Sequence, residues 1–254
     1  MELADHVFSK FCQQGLIKQD ILNMMEHFGL IVNFATSPVE VAYFVPALLK
    51  SPPGRLCKMA LSPSDPCPLY IHFLEGFVPH GLYSHLVSRC TRWCSEREFK
   101  QPPYLFDGAS RFVIDKAQTH QLILVCKKRL IKVILKHSKP GDEVSLAEAE
   151  AEAVEVASLV RGFLEATLHG LSRELSWLSN LKYELCVSCP NCPEEEKACP
   201  NHGQVSCTDE DCLCLLNILP GDKLSTCTKC ICDEGAIPPS LKKWLTVKGE
   251  DIRS

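Results

Sequence analysis

Apolar residues recur at helical spacing near the start of the chain, at Ile17, Ile21, Met24, Met25 and Phe28. Gly29 follows where the C-cap of such a helix belongs. Together with a helix before it, from residue 7, this helix precedes two predicted β-strands, at residues 30–34 and 39–45. Two helices followed by a short hairpin are typical of a winged-helix-like unit.

A second pattern begins after residues 51–68, which are rich in proline and mark a linker. A helix is predicted at residues 82–93. Strands are predicted at residues 69–73, 111–114 and 121–126 and around Leu130, Val133 and Leu135. Lysines alternate with the apolar residues of the last strand, which predicts that it lies at a sheet edge.

The longest periodic segment runs from residue 144 to about residue 181. Its apolar stripe consists of Val156, Val160, Leu164, Leu168, Leu171, Leu175 and Leu178. Gly162 and Gly170 are positions at which this helix can bend or divide. Leu159 and Phe163 widen the stripe, which predicts a second buried contact with the winged-helix half, another subunit or a GTPase.

These patterns predict an α+β protein of four parts. Residues 1–60 form the winged-helix-like first half, and residues 61–185 form an α+β second half with a long C-terminal helix. Residues 186–235 form a small cysteine-rich zinc-binding module, and residues 236–254 form a tail.

The predicted chemistry of the third part, residues 186–235, depends on its cysteines. Of the 16 cysteines in the 254-residue chain, ten lie within residues 186–232. The first 30 residues contain charged side chains throughout, so we expect no secretory signal and a reducing, cytoplasmic location. In that compartment a cysteine cluster favours a metal site, with disulfides in a secreted chain or an iron–sulfur cluster as the alternatives.

The spacing of the cysteines predicts two zinc sites. Two cysteines separated by two residues can turn both thiolates towards one ion, and a tetrahedral site needs two such pairs. We predict a first ligand set of Cys189, Cys192, Cys199 and His202. We predict a second set anchored by Cys227 and Cys230, which takes two of Cys207, Cys212 and Cys214, with Cys207 and Cys212 favoured. A nearly all-thiolate ligand set indicates structural rather than catalytic zinc.

Charge and motifs argue against several functions. The net charge is −4, so no general positive field attracts nucleic acid. The basic residues Lys127, Lys128 and Arg129 carry no interleaved aromatic residue for base stacking. No apolar run is long enough to span a membrane. No phosphate-binding loop, nucleophile elbow or kinase signature occurs, so we predict neither catalytic nor cofactor-binding residues. Six histidines are expected to be ordinary, hydrogen-bonded ones, at positions 72, 80, 85, 120, 137 and 169.

Three segments resemble the COR domain (C-terminal of Roc) that accompanies the GTPase domain of Roco proteins. They are residues 15–30 (GLIKQDILNMMEHFGL), 43–49 (YFVPALL) and 73–87 (FLEGFVPHGLYSHLV). The resemblance covers about residues 7–185. It implies a two-part unit that lies beside a Ras-like GTPase, relays its nucleotide state and commonly contributes to dimerisation.

The resemblance therefore implies a non-enzymatic signalling scaffold that contacts a Ras-like GTPase in cis or in trans and forms a homodimer. Because the sequence carries no GTPase loop, leucine-rich repeat or kinase signature, we expect a fragment, a truncated product or a stand-alone regulatory unit. The alternative function is a zinc-dependent adaptor of the ubiquitin-ligase type. The cysteines do not follow the register of a RING, which makes this alternative weaker.

Overall fold

The structure is a computed structural model that describes residues 17–28, 30–33, 43–57, 61–97, 101–137, 146–190, 192, 212–227 and 237–245. These residues form helices and antiparallel strands, which confirms the predicted α+β class. Of the helices in the described part of the chain, none combines the length and apolar character needed to cross a membrane.

The first described helix, α1, spans Lys18–His27. The Asp20 carboxylate accepts a hydrogen bond from the Ile17 backbone N–H at 3.1 Å, which fixes the first turn. Strand β1, Val32–Asn33, pairs antiparallel with strand β2, Tyr43–Phe44. The predicted hairpin is therefore present in part. The helix predicted before α1 lies outside the described residues, as do the residues that join β1 to β2.

The buried face of α1 differs from the predicted stripe. Leu22 is buried and packs with Ile31, whereas Ile17, Met24 and Phe28 are exposed. The predicted stripe is thus wrong for those three residues. Helical periodicity fits several overlapping stripes, and the position of the hairpin decides which stripe is covered.

The proline-rich stretch contains more than a linker. It holds a short helix, α2 (Gly54–Cys57), and a 3-10 turn at Pro46–Leu48 lies just before it. Leu56 of α2 is buried against one face of that sheet, where it joins Ala109, Ile123, Val125 and Ile134.

The main sheet has eight antiparallel strands. They are β3 (Leu69–Phe73), β4 (Tyr104–Phe106), β5 (Ala109–Val113), β6 (His120–Cys126), β7 (Leu130–His137), β8 (Tyr183–Ser188), β9 (Leu215–Leu219) and β10 (Lys223–Leu224). Their order across the sheet is β10-β9-β8-β3-β7-β6-β5-β4.

Two helices cover the other face of the sheet, α3 (Leu82–Glu96) and α4 (Leu146–Glu174). The main core lies between them and the strands, and most of the predicted α4 stripe is buried there, including Val160, Leu164 and Leu168. A last short helix, α5 (Pro239–Lys242), adds Leu241 and Trp244 to the same core.

The structure corrects two predicted elements. Strand β7 lies inside the sheet, between β3 and β6, so the lysines in it do not protect an edge. They alternate with buried residues because Lys132 and Lys136 point to the less covered face. The long helix ends at Glu174 rather than near residue 181, since Leu175 adopts an extended backbone and a 3-10 turn follows at Ser176–Leu178. Neither Gly162 nor Gly170 interrupts the helix.

Candidate metal centre

Four cysteines gather where β8 ends and β9 begins: Cys189, Cys192, Cys214 and Cys227. The ladder between the two strands reaches the pair Ser188–Leu215, and the Cys189 N–H donates to the Cys214 carbonyl at 2.8 Å. This hydrogen bond extends the ladder by one pair. It therefore places Cys189 and Cys214 side by side at the end of the sheet.

Two separate local structures place the other two cysteines, Cys192 and Cys227, beside this pair. Cys192 follows Cys189 after two residues, and its N–H donates to the Cys189 carbonyl at 3.4 Å, as in a tight turn. Cys227 follows the β9–β10 hairpin, whose pairing continues where the Ser225 N–H donates to the Asn217 carbonyl at 2.9 Å. The hairpin folds the chain back, so that Cys227 returns to Cys214.

The distances between the sulfur atoms fit one ion. All four Sγ atoms lie within 4.8 Å of one another. The Cys214 and Cys227 sulfurs are 3.2 Å apart, and those of Cys192 and Cys227 are 3.6 Å apart. Zn–S bonds of about 2.3 Å in a tetrahedron give sulfur separations of about 3.8 Å. A disulfide bond of about 2.05 Å is much shorter, so these are four separate thiols.

The surroundings of the cluster are apolar. Cys189 and Cys214 are buried in the main core, and Cys192 and Cys227 are half-buried against it. Burial raises the pKa of the Cys214 thiol, and the neighbouring thiols of Cys227 and Cys192 raise that pKa further. Four adjacent thiolates would repel one another, so a bound cation is what makes their deprotonation favourable.

The structure distributes the predicted zinc ligands unevenly. It brings Cys189, Cys192 and Cys227 into one group, although the sequence analysis assigned them to two sites. Cys212 is described and half-buried, but its sulfur is not part of the four-thiol group. The remaining predicted ligands lie outside the described residues: Cys199, His202, Cys207 and Cys230.

Cys214 is the member of the group that was not favoured from the sequence. It directly precedes the apolar run of residues 215–219, which forms β9. Cys214 directly before β9 and Cys227 shortly after β10 flank one hairpin, and this arrangement is the signal in the sequence that pairs them. The region was predicted as a zinc module without strands, and so this signal was missed.

A second polar group lies on the opposite face of β8. His72, Glu184 and Cys186 offer ligand atoms within 4.8 Å of one another. The Cys186 thiol donates to the Asn217 side-chain carbonyl at 3.1 Å, and Asn217 donates to Glu184 at 2.7 Å. Burial, followed by the charge of Glu184, raises the pKa of Cys186 to about 12. A thiol held in this state is not an activated nucleophile.

The histidines differ from the sequence prediction. His85 and His120 are buried. Among the described residues, His85 Nε2 is a buried nitrogen with no hydrogen-bond partner. His120 stacks on His137. The expectation of an ordinary, hydrogen-bonded histidine therefore fails at His85 Nε2, because helix packing buries this nitrogen away from any partner among the described residues.

Comparisons of the chain with protein-family models and with curated proteins find no match. The interpretation of the site rests on its residues and their distances.

Proposed function

We propose that the four-cysteine cluster holds a structural zinc ion and that the chain is a non-enzymatic scaffold stabilised by it. The observation that carries this proposal is the convergence of Cys189, Cys192, Cys214 and Cys227. Four thiolates complete a tetrahedral zinc shell and leave no position for water, which is the arrangement of structural rather than catalytic zinc.

Zinc fits this cluster better than the alternatives considered from the sequence. A cluster of several irons would hold its cysteine sulfurs farther apart than the edge of a one-ion tetrahedron. The sulfurs here are separated by 3.2 and 3.6 Å in two of the pairs, which suits a single ion. The ion would join the end of β8 to both ends of the β9–β10 hairpin. These two short strands lie at one edge of the main sheet.

The zinc proposal is tested by Cys214→Ser. Purified full-length protein should contain zinc, and the variant should contain one ion fewer by elemental analysis. Loss of the ion should expose the chain from β8 onward to protease, because binding energies of structural zinc are about 10 kcal/mol or more in small domains. Cys126→Ser is the matched control, since Cys126 is half-buried on β6 and outside the cluster.

Two outcomes would contradict the zinc proposal. One is a wild-type protein that contains no metal yet resists protease from β8 to the end of the hairpin. The other is a Cys214→Ser variant that retains the wild-type number of ions.

The partner proposed for the scaffold is a Ras-like GTPase domain, in cis or in trans, and the proposal includes self-association. Its support is the resemblance of residues 15–30, 43–49 and 73–87 to the COR unit. The third of these segments joins the end of β3 to the first turns of α3. This cytoplasmic signalling role needs no active site in the chain itself.

Calorimetric titration of the full chain with the GTPase domain of a Roco protein tests this role. We expect saturable binding whose affinity differs between GDP and a non-hydrolysable GTP analogue. A Ras-like GTPase from outside the Roco family serves as the control. Absence of binding in both nucleotide states, with correctly folded zinc-loaded protein, would contradict the GTPase role while leaving the zinc proposal intact.

A further inference from the structure

A pair of histidines faces α4 at one end of the sheet. His120 begins β6 and His137 ends β7, and the two are direct partners in the antiparallel register. Their neighbours two residues along each strand, Leu122 and Leu135, belong to the helix-covered core. Because side chains alternate along a strand, both imidazoles lie on that same face. Their rings stack with centroids 4.7 Å apart and an interplanar angle of 25°.

Helix α4 adds a carboxylate to this pair. Glu152 lies near the start of α4, and its Oε1 is 3.7 Å from His120 Nδ1. One nitrogen of each imidazole and one oxygen of Glu152 all lie within 4.8 Å of one another. Three different elements thus bring two imidazole nitrogens and one carboxylate oxygen close to one another.

The orientation of His120 is set by hydrogen bonds around it. Thr119 Oγ1 lies 2.6 Å from Asp115 Oδ2 and 3.0 Å from His120 Nδ1. A hydroxyl has one proton, and the Asp115 carboxylate can only accept, so Thr119 donates to Asp115 and accepts from Nδ1–H. Nδ1, the nitrogen that lies 3.7 Å from Glu152 Oε1, therefore carries the proton of the ring, and an ion bound between these two atoms would replace that proton.

The backbone of His137 is equally fixed. Its N–H donates to Asp65 Oδ1 at 2.8 Å, and Asp65 Oδ2 accepts from the Ser62 N–H at 2.7 Å. Asp65 is 2% exposed, so this anchor is part of the folded core. The His120 side chain is 4% exposed, whereas that of Glu152 is 48% exposed, which leaves Glu152 room to rotate towards an ion.

We propose that His120, His137 and Glu152 form a second metal site, for a divalent transition-metal ion of the zinc type. Two imidazoles and a carboxylate are donors that Zn²⁺ and Co²⁺ accept. Zn–N bonds of about 2.0–2.1 Å give ligand separations of about 3.4 Å, and rotation of the half-exposed Glu152 side chain would bring its oxygen towards an ion held by the imidazoles. Three protein ligands leave one position for water or another small ligand, in contrast to the closed four-cysteine cluster.

Cobalt binding to the full chain distinguishes the two sites. Thiolate ligands give Co²⁺ an intense charge-transfer absorption, whereas a site of two histidines and a glutamate gives none. Besides any cobalt bound by cysteines, we expect the wild-type protein to bind one cobalt ion at the site of His120, His137 and Glu152. This ion should add visible d–d bands and no charge-transfer absorption. In His137→Gln this ion should bind at least about tenfold more weakly, with the charge-transfer absorption unchanged.

Two further variants make this test specific. Glu152→Gln removes the anionic oxygen donor and should weaken the same ion at least about tenfold without altering the charge-transfer bands. His169→Gln, an exposed position on α4, is the matched control and should bind cobalt as the wild type does. Circular dichroism of each variant, compared with that of the wild type, checks that the variant is folded.

The proposal is overturned if folded His137→Gln and wild-type protein bind the same number of cobalt ions with the same affinities and spectra. Charge-transfer absorption that is the same in Cys214→Ser as in the wild type would instead contradict the four-cysteine site. Because each conclusion rests on a difference between variants, ions bound by cysteines outside the described residues cancel.

Discussion

His85 is a buried histidine at the contact between α1, α3 and the 3-10 turn after α4. Its ring centroid lies 6.2 Å from that of Trp177. Burial lowers the pKa of His85; the charges of Glu26 and Glu174 raise it, and that of Arg89 lowers it. The net direction is downward, so the folded protein holds His85 neutral at pH values where the unfolded chain begins to protonate it.

This shift predicts an acid-sensitive fold. Between about pH 7 and pH 5 the unfolded state binds more protons than the folded state, so the free energy of unfolding falls as the pH is lowered. Urea denaturation at several pH values measures this slope. His85→Asn should flatten it relative to the wild type, whereas His169→Asn, at an exposed position, should leave it unchanged. An unaltered slope in His85→Asn would refute this assignment.

Arg161 joins three separate parts of the chain. Its side chain is 10% exposed and donates to the Trp244 carbonyl at 2.6 Å, to Asp222 at 2.8 Å and to Glu165 at 3.1 Å. It thereby ties α4 to the β9–β10 turn and to the segment that contains α5. A buried cation with three acceptors is well compensated, but its removal leaves those acceptors unpaired.

We predict that Arg161→Met lowers the free energy of unfolding by about 2–3 kcal/mol. This predicted loss of free energy is smaller than that expected for a fully buried ion pair, because the Asp222 side chain is 30% exposed. Chemical denaturation gives the change, and limited proteolysis should show earlier cleavage near α5. Arg173→Met, at an exposed position in the last turn of α4, is the control. Equal stability of the two variants would show that the Arg161 contacts contribute nothing.

At the scale of elements, α4 runs unbroken through two glycines that its sequence offers as breakpoints. A Cβ at Gly162 would meet nothing within 4 Å. Packing of Val160 and Leu164 on the sheet keeps the helix intact there. The glycine therefore costs helix stability without serving a turn or a close contact.

Gly162→Ala should raise the free energy of unfolding by about 0.5–1 kcal/mol, the usual difference in helix propensity. Gly76→Ala is the contrasting control. Gly76 has φ +81°, and an alanine there should lower the free energy of unfolding by about 1 kcal/mol or more. Thermal denaturation of both variants measures whether each change raises or lowers the stability of the protein. Destabilisation by Gly162→Ala would indicate that α4 needs flexibility at this point.

At the scale of the whole molecule, the wide apolar arc of α4 finds a partner inside the chain. Phe163 stacks on Trp93 of α3, with ring centroids 4.5 Å apart and an interplanar angle of 20°. Arg97 lies over the same Trp93 ring at 5.0 Å. A charged residue at Phe163 would therefore disturb the fold itself. Leu159, beside it, remains 37% exposed and is the better position for testing association.

We predict that the full chain self-associates and that Leu159→Glu weakens the assembly at least about tenfold, because a buried, unpaired carboxylate in an interface is costly. Sedimentation velocity over a range of concentrations measures the assembly. Leu219→Glu, a similarly exposed leucine on β9, is the control. A single monomeric species at every concentration would contradict self-association, and equal effects of both variants would exclude the α4 surface.

The fold class and many elements of the second half follow from the sequence. Periodicity identified the strand at residues 69–73, the helix that became α3 and the buried stripe of α4. These elements bury a continuous apolar face, and burial of that kind leaves a regular pattern along the chain. The cysteine spacing likewise indicated the region in which four cysteines lie close enough to bind a metal ion.

Only the tertiary structure decided which residues meet. The interior position of β7, the grouping of Cys214 with Cys189 and the pairing of His120 with His137 all depend on strand order and register. A sequence pattern records whether a residue is buried, but not which strand lies beside it. Strand neighbours are chosen by the packing of the whole sheet, and so the sequence alone determined the fold class and several elements, while the fold determined which residues meet.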